Sequence, residues 1–240
     1  MSSLNKLVSA GLLTGIAAAG YAYAAQWPTS QLFGRTLIAG SNSNEIALTF
    51  DDGPNDPYTQ QLLDLLAHHK VRATFFLMGD YVKQRPDIAR AIQKAGHLLG
   101  NHTVNHPSLM WTRPSRVREQ LVACSAIIED ATGETVKYFR PPFGARRPDV
   151  LRTAAELGLK PVMWNITAHD WDATDPQALE ATVQAGFQRN QQRGRSSNVL
   201  LHDGGHRAFG IDRSVTLAAT QSLLASWART YRLVTVDAWG

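Results

Sequence analysis

One cysteine in 240 residues leaves no internal disulfide to form. That is compatible with export, because a chain of this length can bury a core without covalent staples. Cys124 falls in a helical pattern with no nucleophile motif around it and reads as a small core residue. Charge is also scarce, at 18% of residues, and no block of one sign stands out. No basic run with interleaved aromatics is present, which argues against nucleic acid as a partner. The net charge of +4 reads as a solvated basic surface, with some attraction to anionic polymers as the lesser effect. Low-complexity stretches are missing too, so nothing marks a linker between two globular units. With 44% hydrophobic residues, one domain is expected.

The N-terminus differs from the rest. Lys6 precedes a weakly apolar stretch, Leu7 to Ala25, rich in Ala and Gly, and Ala22-Tyr23-Ala24 has the small-x-small form of a cleavage site. A cleaved secretory signal is the first expectation. An uncleaved membrane anchor is the second, since the stretch is nearly long enough to span a bilayer. The division expected is 1–25 as signal or anchor, 26–44 as a connecting segment and 45–240 as the main domain. The catalytic part would then lie outside the cytoplasm, in the periplasm, at the envelope or secreted. Any membrane contact would run through that N-terminus alone. Nothing in the pattern fixes an oligomeric state.

Beyond Glu45, strand-like and helix-like runs alternate. The strands are expected over Ile46–Phe50, Ala73–Leu77, His97–Gly100, Lys137–Phe139, Pro161–Ile166, Val199–Leu201 and Arg232–Val236. The helices are expected over Tyr58–His69, Pro86–Ala95, Pro114–Asp130, Pro148–Leu157, Pro176–Gln192 and Ser214–Thr230. Asp56-Pro57 and Asp175-Pro176 each set an N-cap acceptor before a first-turn proline. Gly158 reads as a left-handed stop after Leu157. Such alternation argues for a parallel sheet covered by helices.

Chemistry-bearing residues gather where strands end. Leu48-Thr49-Phe50-Asp51-Asp52-Gly53-Pro54 puts two carboxylates after an apolar run, and Gly-Pro stops the strand. Neighbouring side chains on a strand point to opposite faces, so Asp51 and Asp52 can hold different jobs. An ordinary Asp-Asp-Gly turn is the bland alternative. In Asn101-His102-Thr103-Val104-Asn105-His106-Pro107, two His stand four apart, a spacing that shares one face of a helical turn. With Asp52 they would make a set of two nitrogens and one carboxylate with open positions, unless both are plain surface histidines. Three further runs are Tyr138-Phe139-Arg140-Pro141-Pro142-Phe143-Gly144, Trp164-Asn165-Ile166-Thr167-Ala168-His169-Asp170-Trp171, and Val199-Leu200-Leu201-His202-Asp203-Gly204-Gly205.

In this order the five runs resemble the polysaccharide deacetylase family, carbohydrate esterase family four, which includes chitin, peptidoglycan and chitooligosaccharide deacetylases. The resemblance covers about Glu45 to Val236. It implies a distorted (β/α) barrel of about seven parallel strands, with the active site at their C-terminal ends. It also implies metal-dependent hydrolysis of N-acetyl groups from a glycan of N-acetylglucosamine type, such as peptidoglycan or a chitin-like polymer. Asp52, His102 and His106 would hold the metal, most suitably zinc, with cobalt as an alternative. Asp51 would take the proton of the attacking water, and Arg140 would hold Asp51. His202 would protonate the leaving amine, with Asp170 favouring its imidazolium. The backbone N–H of Phe143 would help to bind the oxyanion. Trp171 and Leu200 would line a pocket for the acetyl methyl or serve as plain core residues. Phe143 and Asn165 stand where relatives often carry Tyr and Asp; the first change keeps the backbone donor and the second leaves Asp170 in place. His169, Asp203 and His206 lie beside the motifs with no role assigned; His68, His69 and His97 read as surface or helix-end residues. The competing readings are a glycan-binding relative without turnover and an amidohydrolase acting on a small non-sugar amide.

Overall fold

The first strand, β1 (Glu45–Gly53), is buried along its whole length. Parallel strands covered on both faces read as continuous apolar runs, and Ile46 to Phe50 has that character. A computed structural model describes Gly15 and residues 19–240. Most of the apolar leader expected over Leu7 to Ala25 therefore lies outside the described residues. Around β1 stand β2 (Thr74–Leu77), β3 (Leu98–Asn101), β4 (Tyr138–Phe139), β5 (Lys160–Pro161), β6 (Ile166–Thr167), β7 (Ser197–His202) and β8 (Arg232–Leu233). Seven of them run in the order β5-β4-β3-β2-β1-β7-β6, and β8 adds beside the start of β1. Every pairing is parallel. This curled, open sheet is the expected distorted barrel.

The expected strand Pro161–Ile166 is divided into β5 and β6. The reason is tertiary. Leu37 donates its N–H to Pro161 O and accepts from Met163 N–H, both at 2.8 Å. The Asn198 side chain then donates to Ile38 O and Met163 O. Segment 37–40 thus occupies the opening between the two sheet edges, and no local periodicity encodes that.

Helices cover the outside: α1 (Tyr58–His68), α2 (Gly79–Gln84), α3 (Pro86–Lys94), α4 (Pro114–Thr132), α5 (Pro148–Glu156), α6 (Pro176–Gln192) and α7 (Ser214–Trp227). Their inner faces join β1, β2 and β7 in one core that includes Phe50, Phe75, Leu121 and Trp227. Removing such a side chain costs about 2–5 kcal/mol in a core of this kind. Cys124 lies fully buried in it, as expected, and burial pushes its thiol up to about 12. Asp175 caps α6, accepting from Gln177 N–H at 3.0 Å. Asp56 does not cap α1. Pro57 is the N-cap and Asp56 pairs with Arg85 instead. Gly158 takes the left-handed conformation, φ 71°, just after α5. The short α2 had no sequence signal. His97, read as a surface residue, is buried; its Nδ1 accepts from Ala73 N–H at 3.1 Å, and burial lowers its pKa to about 4.

Candidate metal and catalytic site

Among the described residues six non-glycine residues adopt positive φ; Asp52, His106 and Phe143 line one cavity, and Thr103 and His169 stand next in sequence to the site residues His102 and Asp170. Left-handed backbone at such residues costs roughly 1–3 kcal/mol each and persists where surrounding structure fixes it. At Asp52, His106 and Phe143 the bent backbone turns a side chain into the cavity. The cavity measures about 540 Å³, the size of small-ligand sites.

Asp51 and Asp52 close β1. Asp52 sits at φ 66°, which sends the two carboxylates to different partners. The carbonyl of Asp52 is close against Gly204, where a Cβ would come within 1.9 Å, so only glycine fits there. His102 follows β3, its N–H donating to Leu77 O at 3.0 Å. The expected helical turn between the two histidines is absent. The chain bends at Thr103 (φ 67°) and His106 (φ 56°) instead. Asn101 Oδ1 accepts from Thr103 N–H, and Thr103 Oγ1 accepts from His106 N–H. That loop still brings the rings together, with centroids 4.9 Å apart.

Both Nε2 atoms lie 3.3 Å from Asp52 Oδ1. The three ligand atoms lie within 4.8 Å of one another, and all three residues are buried. Asp52 Oδ1 has no hydrogen-bond partner. Burial alone would raise the Asp52 carboxyl, but the imidazole of His102 beside it, His206 and the neighbouring His106 hold it well below the usual range. Burial, then His102, pushes His106 down to about 3, so its ring is neutral and has a lone pair to give. The ring of His102 is fixed by Nδ1, 2.8 Å from Arg140 O. An orphaned carboxylate oxygen facing two imidazole nitrogens fits a divalent metal.

Asp51 faces elsewhere. Its Oδ1 accepts from Arg140 Nη1 at 2.8 Å, and its Oδ2 is 3.7 Å from His102 Nε2. Arg140 is fully buried, lies 4.2 Å from the Phe76 ring centroid, and also donates to Thr49 Oγ1. Its other N–H groups are taken up by Val162 O and Met163 O, so this fixed cation has one carboxylate partner, Asp51. Opposite, His202 ends β7. Its Nδ1 is 2.8 Å from Asp170 Oδ1, and its N–H donates to Asp170 Oδ2. Thr216 Oγ1 donates to that same oxygen. Burial would lower the His202 pKa, but Asp170, by charge and hydrogen bond, raises it to about 9, helped by the Asp52 and Asp51 charges.

Phe143 protrudes from the 3₁₀ turn Pro142–Gly144 with its ring edge on His106, 4.5 Å between centroids. Gly144 and Ala145 donate their N–H groups to Pro141 O and Pro142 O; the Phe143 N–H takes no part in the turn's hydrogen bonds. Trp171, 41% exposed, meets His202 edge-on at 5.2 Å, and Leu200 is buried against Met163 and Trp164. Both line the cavity. Asn165 is a structural tie, accepting from Asn198 N–H and donating to Ser196 O.

Residues that had no assigned role also stand at or beside the cavity. His206 stacks on His106 at 4.5 Å, and its N–H donates to Asp52 Oδ2 at 3.2 Å. Asp203, outside the cavity lining, sets its carboxylate against Gly53 and accepts from Thr59 Oγ1, and burial raises its carboxyl to about 7. Trp164 lines the wall and holds Thr167 by its indole N–H. The motifs flagged these neighbourhoods, but only the folded loops show which side chains turn in.

The polysaccharide deacetylase family model matches residues 39–162. A chitooligosaccharide deacetylase of Sinorhizobium fredii is 38% identical over 167 residues, covering 69% of this chain and 75% of its own length. A peptidoglycan-N-acetylglucosamine deacetylase of Bacillus cereus is 36% identical over 198 residues, covering 82% and 88%. Among solved structures, a peptidoglycan N-acetylglucosamine deacetylase superposes with TM-score 0.74 at 30% identity, over 84% of this chain and 90% of that one. A carbohydrate esterase family four pseudoenzyme from Bacillus anthracis gives 0.73 at 26%, over 85% and 68%.

Proposed function

The chain belongs to the polysaccharide deacetylase family, and on that premise we propose that it removes N-acetyl groups from an envelope glycan of N-acetylglucosamine type, releasing acetate. The observation that carries this reading is the pairing of two separate devices across one cavity: Arg140 holding Asp51, and Asp170 holding His202. A glycan-binding relative without turnover needs neither.

Asp52, His102 and His106 are the residues to hold a divalent metal, zinc before cobalt. When bound there, it supplies Lewis acidity that polarises the amide carbonyl and eases deprotonation of water. Asp51, oriented by Arg140, takes the proton of the attacking water. The water oxygen adds to the amide carbon, and the Phe143 N–H, free of the turn's hydrogen bonds, donates to the resulting oxyanion. His202 donates a proton to the amide nitrogen as the carbon–nitrogen bond breaks, leaving acetate and a free amine. Trp171 and Leu200 shape the pocket for the methyl group.

The donor role of His202 gives a pH signature. The imidazolium is the active form, so kcat/KM falls as pH rises through about 9. Asp170→Asn removes the largest force raising that pKa and moves the alkaline limb down toward the ordinary imidazole range. A profile of kcat/KM against pH reads this directly; an unmoved alkaline limb would reassign the acid. The same pair ties stability to pH. Its contribution is complete below the ordinary histidine pKa and is lost as pH climbs through about 9.

A cavity open at the strand ends suits a polymer lying across it. Acetate release measured on a chain-length series of N-acetylglucosamine oligomers is therefore expected to rise from monomer to pentamer. Equal efficiency on both would argue against the polymer reading. The apolar leader supports a place for the domain outside the cytoplasm, where such polymers are.

A further inference from the structure

The apolar leader ends inside the folded domain. Residues 19–26 are helical, and Ala24 and Ala25 are buried. Ala25 lies among Met110, Ala145 and Phe33, and its carbonyl accepts from Arg146 N–H at 3.0 Å. The Arg146 side chain completes a clamp. Almost wholly buried, it donates to Trp27 O and Ser30 O, each at 2.8 Å, and to Gly144 O at 3.0 Å. It has no salt bridge among the described residues.

Contacts also cross the Ala24–Ala25 bond, where the small-x-small pattern would place cleavage. Upstream of that bond, Tyr21 packs on Phe33, centroids 5.0 Å apart, and Tyr23 stacks on Trp27 at 5.9 Å. Tyr23 O accepts from Trp27 N–H at 2.9 Å. Hydrolysis there would remove these partners. It would also set a new ammonium on Ala25, fully buried among apolar groups and next to a buried guanidinium. Burying an unpaired charge is strongly unfavourable.

The same segment exposes apolar surface. Tyr21, Tyr23, Trp27 and Leu32 are 46%, 48%, 55% and 71% exposed. No charged residue stands between Lys6 and Arg35. No helix among the described residues is long and apolar enough to cross a membrane; the uncharged sequence from Leu7 to Tyr23, ahead of the buried Ala24 and Ala25, runs 17 residues, the short end of the roughly 17–25 predominantly apolar residues that a span takes. Tyr and Trp favour the membrane–water boundary, and a basic N-terminal flank stays on the cytoplasmic side.

We propose that the leader is retained as an anchor and that Tyr21, Tyr23, Trp27 and Leu32 form a collar seated in the interface of a lipid bilayer. Through Arg146, which holds both residues 25–30 and Gly144, the collar is fixed to the turn that carries Phe143 at the cavity mouth. The enzyme then works at a set, short distance from the membrane. This goes beyond the deacetylase reading and needs only export of the domain.

The test uses the full chain with a C-terminal tag, expressed in a bacterial host. The expected product is a membrane species resistant to alkaline carbonate extraction, with an intact mass that includes residues 7–24. Ala22→Gln, an exposed change that spoils the small-x-small site, should leave the chain's N-terminus and its membrane fraction as in the wild type, the mass changing only by the substitution itself. A soluble chain beginning at Ala25, or one that A22Q converts to the longer membrane form, would overturn retention. The collar is read separately. Full-length protein is placed in phosphatidylethanolamine–phosphatidylglycerol vesicles with brominated acyl chains, which quench nearby tryptophan fluorescence. Quenching is expected in the wild type and should fall by more than half in Trp27→Phe. Equal quenching in both would remove the collar. Acetate release assayed on the same preparations reports the chemistry independently.

Discussion

Asp51→Asn is expected to lower turnover by ~100- to 10,000-fold while the metal stays bound. The amide keeps the shape of the carboxylate and removes its basicity. Arg140 Nη1 at 2.8 Å can still donate to the remaining carbonyl oxygen, so the fold should survive. Metal content, measured by elemental analysis, separates loss of base from loss of metal. The expected result is an unchanged metal-to-protein ratio with kcat strongly reduced and KM little changed. A variant retaining near-normal turnover would move the base elsewhere in the cavity.

His102→Ala is expected to abolish both metal binding and turnover. Changes to groups that merely support a ligand cost 10- to 100-fold in metal affinity as a rule, so removal of a ligand should exceed ~100-fold. His102 lies at the centre of the set: its Nε2 is 3.3 Å from Asp52 Oδ1 and its Nδ1 is held by Arg140 O. Truncation breaks the ligand set and leaves Asp52 with fewer groups holding its charge. The stability cost should be smaller than for a core truncation, because the cavity is open to water. Metal titration followed by competition with a chelating dye reads the affinity, and thermal unfolding reads the fold. Tight stoichiometric binding by His102→Ala would exclude this triad as the ligand set.

Much of the site was legible because barrel chemistry collects at strand ends, and strand ends carry strong local signals. Asp51-Asp52-Gly53-Pro54 announces both a strand stop and a carboxylate pair. Asp52, His102 and His106 were named from residue type and spacing, and the structure brings them together by a route the spacing did not describe. The histidines meet across a left-handed loop, because Asn101 and Thr103 side chains hold turns that compete with helix. Arg140 beside Asp51, and Asp170 beside His202, came with the family resemblance, and the structure sets each pair at 2.8 Å.

The misses have a common cause, which is long-range contact. His97 looks polar and exposed in sequence, yet it terminates a backbone N–H of Ala73 in the core. The Pro161–Ile166 run divides because Leu37 and Asn198, far away in sequence, take its backbone groups. Asp56 has a better partner in Arg85 than in a helix N-terminus. His206 reaches Asp52 only because the loop after β7 packs Asp203 and Gly204 against Gly53 and the Asp52 carbonyl. None of these leaves a periodic trace. The family fold alone does not carry turnover, since a pseudoenzyme of the same family superposes almost as well as a deacetylase does. The weight therefore rests on Asp51, His202 and their positioning partners in this chain.

The most direct test is acetate release from N-acetylglucosamine pentamer by protein stripped of metal with a chelator and then given back zinc. Loss of acetate release on stripping, with recovery at one equivalent of zinc per chain and one free amine formed per acetate, is the expected result. Undiminished acetate release by protein shown to contain no metal would contradict the assignment of Asp52, His102 and His106, and with it the chemistry proposed for Asp51.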